Sequence, residues 1–169
     1  MELIIPSRDY YVSYLKAIHE YNLHGVRTGS FLGMESWNFY ELVENYRTGK
    51  NMPDNFICRT VLWLVDNGEF IGEIMIRHGL DTALKRIGGH IGYAVKYSHW
   101  NKGYGTLMLS MALTFAGENF DFQRVLVTCN DDNYGSARVI EKNGGVLQDK
   151  VINVINGKER LTRRYWIEL

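Results

Sequence analysis

Gly92-Tyr93-Ala94-Val95-Lys96-Tyr97-Ser98-His99-Trp100-Asn101-Lys102-Gly103-Tyr104-Gly105-Thr106 is the stretch on which the fold turns. A strand runs into a glycine turn, and the turn opens a helix. Gly103 and Gly105 allow close approach and unusual backbone angles. The first amides of a helix lack intrahelical partners and sit at the positive end of its dipole, so this turn suits a phosphate or pyrophosphate. Lys102 adds a cation nearby. A P-loop would need Gly-Lys-Ser/Thr after a four-residue gap, which is absent. A dinucleotide fingerprint would need a third glycine where Met108 stands. A Gly-x-Gly by itself is a weak signal, and alone it better suits a structural turn with no ligand.

Outward from this turn, the spacing predicts a mixed α/β layer fold of order β-αα-βββ-α-β-α-ββ, with helices packed on a sheet. Residues 2–5 read as a short strand ended by Pro6. Ser7 or Asp9 can cap a helix with apolar positions Tyr11, Leu15 and Ile18. A second helix is expected from Ser36, with Phe39, Leu42, Val43 and Tyr46 at helical spacing and Gly49 as its stop. Residues 22–34, with three glycines, read as an irregular loop. Strands 58–66 and 70–78 flank Asn67-Gly68, a strong hairpin signal. Residues 79–88 read as a loop with room for one helical turn, and 89–96 as a strand. A helix over about 103–118 buries Tyr104, Leu107, Met108, Met111 and Phe115. A strand at 124–129 and a helix at 133–143 follow. Strands 146–154 and 159–168 close a hairpin around Asn156-Gly157.

The 169 residues carry nineteen Lys+Arg against nineteen Asp+Glu, a formal net charge of zero. A neutral chain is a poor non-specific nucleic-acid binder, which needs surplus cations to displace counterions. No window holds the roughly 18 uninterrupted apolar residues of a membrane helix. MELIIPSRDY has no basic start followed by an apolar run, so no secretory signal is expected. Cys58 and Cys129 are isolated, which excludes a disulfide framework and a Cys-rich zinc site. His19, His24, His78 and His99 show no metal spacing. With no linker or repeat visible, residues 1–169 are expected to form one cytoplasmic domain without a metal, a nucleic-acid partner or a membrane contact.

A second segment, Asn133-Tyr134-Gly135-Ser136-Ala137-Arg138-Val139-Ile140-Glu141-Lys142-Asn143-Gly144-Gly145, lies one helix and one strand after the glycine turn. Together the two segments resemble the GNAT superfamily of CoA-dependent N-acyltransferases. Its pyrophosphate loop, Arg/Gln-x-x-Gly-x-Gly/Ala, aligns with Trp100-Asn101-Lys102-Gly103-Tyr104-Gly105. Its Asn-x-x-Ala/Ser segment, followed by a helix ending Glu-Lys-x-Gly, aligns with Asn133 to Gly144. The likeness covers nearly the whole chain, and the GGHIGY and VIEKNGGVL phrases are similar to those of a bacterial branch of predicted acetyltransferases.

The resemblance implies an acetyl-CoA-dependent N-acetyltransferase acting by direct amine attack on the thioester. The acceptor would be a small-molecule or peptide amine, and a homodimer is admitted. The alternative is a non-catalytic CoA-binding or sensor protein of the same fold. It also implies that pyrophosphate sits on the amides of residues 101–106, that Tyr93, Ala94 and Val95 line a splay between the fourth and fifth strands, and that the Val95 amide is the oxyanion donor. Asn133 and Ser136, which helix capping alone would explain, would contact the pantetheine arm and phosphates. Two positions depart from the family. Trp100 replaces Arg/Gln but still supplies a backbone amide. Ile140 stands where many relatives place the tyrosine that protonates the thiolate, so Ile140→Tyr would be expected to restore an acid.

An amine with a pKa near 10.4 must lose a proton before attack, while a thiolate with a pKa near 8.5 leaves with little help. Two base candidates arise. His90, where relatives often carry a carboxylate, has a suitable intrinsic pKa; the alternative, a histidine hydrogen-bonded at the sheet edge, carries the greater weight. Glu73 lies mid-strand among Ile71, Ile74 and Met75, where a lone buried carboxylate is costly; the alternative is an ion pair with Arg77 or Arg59. Cys129 ends the fifth strand and reads as buried and inert. Residues 19–37, the 79–88 loop and the terminal hairpin are expected to choose the acceptor, with Tyr21, Phe31 and Trp37 as candidate walls, though core packing accounts for most of them better. The Lys158–Arg164 cluster reads as a solvated hairpin face.

Overall fold

The computed structural model describes residues 1–26 and 38–169. Seven strands form one sheet: β1 (Glu2–Ile4), β2 (Arg59–Asp66), β3 (Glu69–Arg77), β4 (Ile91–Val95), β5 (Arg124–Asn130), β6 (Val146–Ile155) and β7 (Lys158–Glu168). Their order is β1-β2-β3-β4-β5-β7-β6. Every neighbouring pair is antiparallel except β4 and β5, which run parallel. The helices are α1 (Tyr11–Leu23), α2 (Phe39–Thr48), α3 (Thr82–Arg86), α4 (Tyr104–Asn119) and α5 (Tyr134–Lys142). The expected order therefore holds, with one short helix, α3, in the 79–88 loop. Asp81 caps it, accepting the Leu84 N–H at 2.7 Å. Ser36, the expected start of the second helix, lies outside the described residues. Among those residues, no helix is long and apolar enough to cross a membrane.

Both Asn-Gly turns close as predicted. Asn67 and Gly68 have φ of 46° and 77°, and Asn156 and Gly157 have 51° and 73°. Two successive positive φ values match the twist of the flanking strands.

The sheet separates two cores. On one face α1 and α2 bury Tyr14, Ala17, Phe39 and Val43 against Val61, Trp63, Val65 and Phe70. Trp63 is fully buried there, stacked on Tyr14 with ring centroids 4.7 Å apart. On the other face Met108, Leu109, Ala112 and Ala116 of α4 and Ala137 and Ile140 of α5 pack against Ile74, Ile76, Ile91 and Val127.

β4 is shorter than the predicted 89–96. At its start, a Cβ on Gly89 would stand 2.3 Å from the Leu126 carbonyl oxygen, so backbone packs directly on backbone. At its end the chain turns into a 3₁₀ turn over Tyr97–His99.

Candidate active site

The site begins where β4 and β5 part. Ile91 is registered against Val127 of β5, and no later residue of β4 is. Backbone groups alternate between the two edges of a strand. Lys96 donates its N–H to Ile71 of β3, so the residues in phase with Ile91, Tyr93 and Val95, show their amides to β5. By then the ladder has opened. These amides face the gap between the strands.

The turn after β4 is held from below. The Lys96 ammonium is 2.5 Å from Glu69 and 3.5 Å from Glu20. The other Glu20 oxygen accepts the Ser98 N–H at 3.0 Å. Lys96 thus anchors the turn to β3 and α1. Asn101 and Gly103 both have positive φ, 59° and 86°. Gly103 is the N-cap of α4 and supplies no side-chain cap. The first helical bond runs from Leu107 N–H to the Gly103 carbonyl, so the amides of Tyr104, Gly105 and Thr106 precede the ladder. Gly105 serves packing instead, since a Cβ there would come within 3.2 Å of Val139 on α5.

These elements enclose a cleft of about 760 Å³. It is lined by Tyr93, Ala94 and Val95 of β4, by Trp100, Asn101 and Gly103–Thr106, and by Asn133–Ser136 ahead of and in α5. Lys102 is exposed and lines no described cleft, a correction to its expected role. The cations facing the cleft are Arg138 and Lys142, one turn apart on α5. Their i, i+4 spacing was the available sequence signal. Tyr21, a candidate wall of the acceptor pocket, lines this larger cleft and not the smaller one, while Phe31 and Trp37 lie outside the described residues. Trp100 donates its indole N–H to the Val95 carbonyl at 2.8 Å, and the Tyr21 hydroxyl donates to the same oxygen.

A second cleft, of about 290 Å³, lies beside the first. Met75, Arg77, Gly88, Gly92, Thr128 and Thr162 contribute to it. The two clefts share Tyr93, Asn133 and Ser136. At this junction the Tyr93 hydroxyl and Ser136 Oγ are 2.8 Å apart. The Asn133 side chain accepts the Ser136 N–H at 3.0 Å, which fixes the start of α5. Burial raises the Tyr93 phenol above its ordinary range, opposed by the Ser136 bond. Burial likewise pushes the Cys129 thiol up to about 11. At neutral pH the junction therefore presents neutral O–H and S–H groups, and Cys129 is not a thiolate nucleophile.

Neither base candidate reaches either cleft, and both roles need correction. His90 is clamped to Leu126 of β5: its N–H donates to the Leu126 carbonyl at 2.7 Å, and its Nδ1 accepts the Leu126 N–H at 2.8 Å. Burial, and then the Arg77 charge, lower its pKa to about 4. Glu73 is fully buried beside Trp63, whose indole N–H donates to Oε2 at 2.9 Å. Burial pushes its pKa up to about 8, so it is mostly protonated at pH 7. Its expected ion pair does not form, because the register sets Glu73 opposite Trp63 and Arg77 opposite Arg59. Ile140 also points inward and is fully buried in the α4–α5 core. Gly145 packs so closely on it that a Cβ there would stand 2.4 Å from its Cγ2, and Ile140 lines neither cleft, so a larger tyrosine at 140 overpacks the core. In the Lys158–Arg164 cluster, Arg163 and Arg164 are ion-paired with Asp131 and Asp149, while Lys158 to Arg160 are exposed. Among the described residues, no group of three or more His, Cys, Asp or Glu is placed to hold a metal.

Comparison with known proteins agrees with this architecture. The family model for the acetyltransferase (GNAT) domain matches residues 33–146. No curated protein sequence matches the chain. Among solved structures, the microcin C7 self-immunity acetyltransferase MccE, in complex with acetyl-CoA and AMP, superposes with a TM-score of 0.72 at 17% identity, over 99% of this chain and 91% of that one. A variant of the spermidine N-acetyltransferase SpeG from Vibrio cholerae gives 0.65 at 19%, over 99% and 95%. An acetyltransferase from Salmonella typhimurium that modifies the N-terminal serine of ribosomal protein L7/L12 gives 0.72 at 14%, over 99% and 94%. These likenesses are of fold. The family match spans well over half of the sequence, and the chain belongs to the GNAT acetyltransferases.

Proposed function

We propose that this GNAT acetyltransferase is an acetyl-CoA-dependent N-acetyltransferase, moving an acetyl group to the primary amine of a small molecule or peptide by direct attack on the thioester. The observation that carries this reading is the meeting of two clefts at Tyr93, Asn133 and Ser136 beside an opened strand edge. Relatives of the same fold, described as acetylating spermidine or a protein N-terminus, support it. The single sheet from Glu2 to Glu168 supports one domain over residues 1–169.

The larger cleft fits CoA. The uncapped start of α4 offers the amides of Tyr104, Gly105 and Thr106 to a pyrophosphate, and a Cβ on Gly103 would meet nothing within 4 Å, which leaves that space open. Arg138 and Lys142 supply the countercharge. Acetyl-CoA supplies the acyl group as a thioester. The Val95 N–H, on the opened edge, donates to the acyl carbonyl oxygen. Ser136 Oγ, held by its hydrogen bond to Tyr93 Oη, hands a proton to the departing sulfur and is reprotonated by the water that carries the amine proton, doing the work Ile140 does not. No described side chain at the junction is a base near neutral pH, so water carries the amine proton away.

Calorimetric titration with acetyl-CoA, followed by thiol release with a panel of amines, tests the reading. Binding with turnover of at least one amine is expected. Binding without turnover favours the sensor alternative, and failure to bind overturns both.

A further inference from the structure

Resting on that reading, the second cleft receives the acceptor, and its charge is one-sided. Among the described residues, Arg77 is the sole charged one lining it. Its Nη1 donates to the Gly88 and Gly89 carbonyls at 3.3 and 2.8 Å, and the guanidinium makes no ion pair among the described residues. Asp81, close enough to influence its charge, is used in capping α3. Arg59 stands directly opposite on β2. It stacks over Tyr46 and Phe56, donates to Met75 Sδ at 3.6 Å, and leaves a buried Nε without a partner. Like charges directly opposite across a strand pair are destabilising. Burial and the Arg59 charge accordingly lower the Arg77 pKa. Two half-buried arginines side by side, neither bonded to a carboxylate among the described residues, describe half of an anion site. Arginine's fork matches a carboxylate with two parallel bonds. A cleft of about 290 Å³ admits only a small group.

We propose that the acceptor is a small amine that also carries a carboxylate, as an amino acid does, with Arg77 holding the carboxylate and Arg59 reinforcing its field while the amine points to the Tyr93–Ser136 junction. A polyamine, cationic throughout, is repelled by the same pair.

The test compares α-amino acids with their carboxamides, and with spermidine, in the thiol-release assay, with rates corrected for each compound's free-amine fraction. The acids should show kcat/KM at least about tenfold above their amides, the size of a charge-assisted hydrogen bond. Arg77→Gln should raise KM for the acids by about 10- to 100-fold and erase the preference over amides, with acetyl-CoA affinity unchanged. Arg77→Lys should restore part of it. Should Arg77→Gln fold poorly, Arg59→Gln is expected to narrow the same preference. Amides or spermidine turned over as well as the acids by the wild type overturn this proposal and leave the acetyltransferase reading standing. So does a preference that survives in a folded Arg77→Gln protein. No turnover of any amine, with acetyl-CoA bound, overturns both.

Discussion

Replacing Glu73 with glutamine should change how stability depends on pH and leave catalysis nearly intact. Glu73 is fully buried, with one oxygen bonded to Trp63 and the other without a partner. Burial raises its pKa from 4.5 to about 8. Between those values the folded chain holds a proton that the unfolded chain releases. Stability therefore falls as pH rises, by about 1.4 kcal/mol per unit, and levels off above the folded pKa. His90 works in the opposite sense. Its pKa drops from 6.5 to about 4, so the unfolded chain binds the extra proton, and stability rises with pH across that interval. From 4.5 to 6.5 the two slopes offset each other. Above 6.5 only the Glu73 slope remains, and the wild type should lose about 2 kcal/mol by pH 8. For a chain of this size that is a fall in Tm of about 4–8 °C. Thermal or urea unfolding at half-unit steps from pH 6.5 to 8 reads it directly. Glu73→Gln keeps an acceptor for Trp63 and cannot ionise, so its stability should be flat over this range. Its kcat at pH 7 should stay within a few-fold of the wild type. A Glu73→Gln protein with the wild-type slope would refute the burial argument, and a hundredfold loss of kcat would return the carboxylate to catalysis.

His90→Ala should leave kcat within a few-fold but cost about 1–3 kcal/mol in urea unfolding, because it orphans the buried Leu126 N–H. An intact stability with a collapsed kcat would make His90 a relay after all. Gly103→Ala forces a side chain into a backbone at φ of 86°, and Gly103→Asp adds a negative charge at the same place. Calorimetry should show acetyl-CoA affinity falling further for aspartate than for alanine, and equal affinities would move the phosphates elsewhere. Ser136→Ala should lower kcat by about tenfold or more with little change in acetyl-CoA affinity, as loss of a proton donor does. Undiminished turnover would leave water as the only acid.

What could be read in the sequence were features fixed by neighbouring residues. Asn67-Gly68 and Asn156-Gly157 encode their hairpins because type I′ backbone angles are a property of two residues. The strand–glycine–helix passage at 92–106 is legible for the same reason. The base candidates were misplaced because their environment is set by partners distant in sequence. Trp63 reaches Glu73 through the β2–β3 register, and His90 meets Leu126 only once β4 lies beside β5. A mid-strand carboxylate surrounded by apolar residues looks like a site in one dimension. In three it is a protonated group under α1. Arg138 and Lys142 carry a visible helical spacing, but which face α5 shows to the cleft depends on how Val139 meets Gly105.

The electrostatic plan also bears on how an amine loses its proton without a dedicated base. Among the described residues, each cleft is lined by cations, Arg138 and Lys142 in the larger and Arg77 in the smaller. The junction between them holds the neutral groups of Tyr93, Ser136, Asn133 and Cys129. An ammonium entering this junction loses water and gains no carboxylate, and both effects lower its pKa. Its neutral form, which is also the nucleophilic one, pays neither penalty. On the proposed reading, the junction favours the amine in its reactive state before any side chain takes a proton from it. A buried general base would work against this, since its carboxylate would hold the ammonium form in place. On that account the protonated Glu73 and the neutral His90, both turned away from the clefts, are consistent with a site that favours attack by keeping negative charge out of the junction.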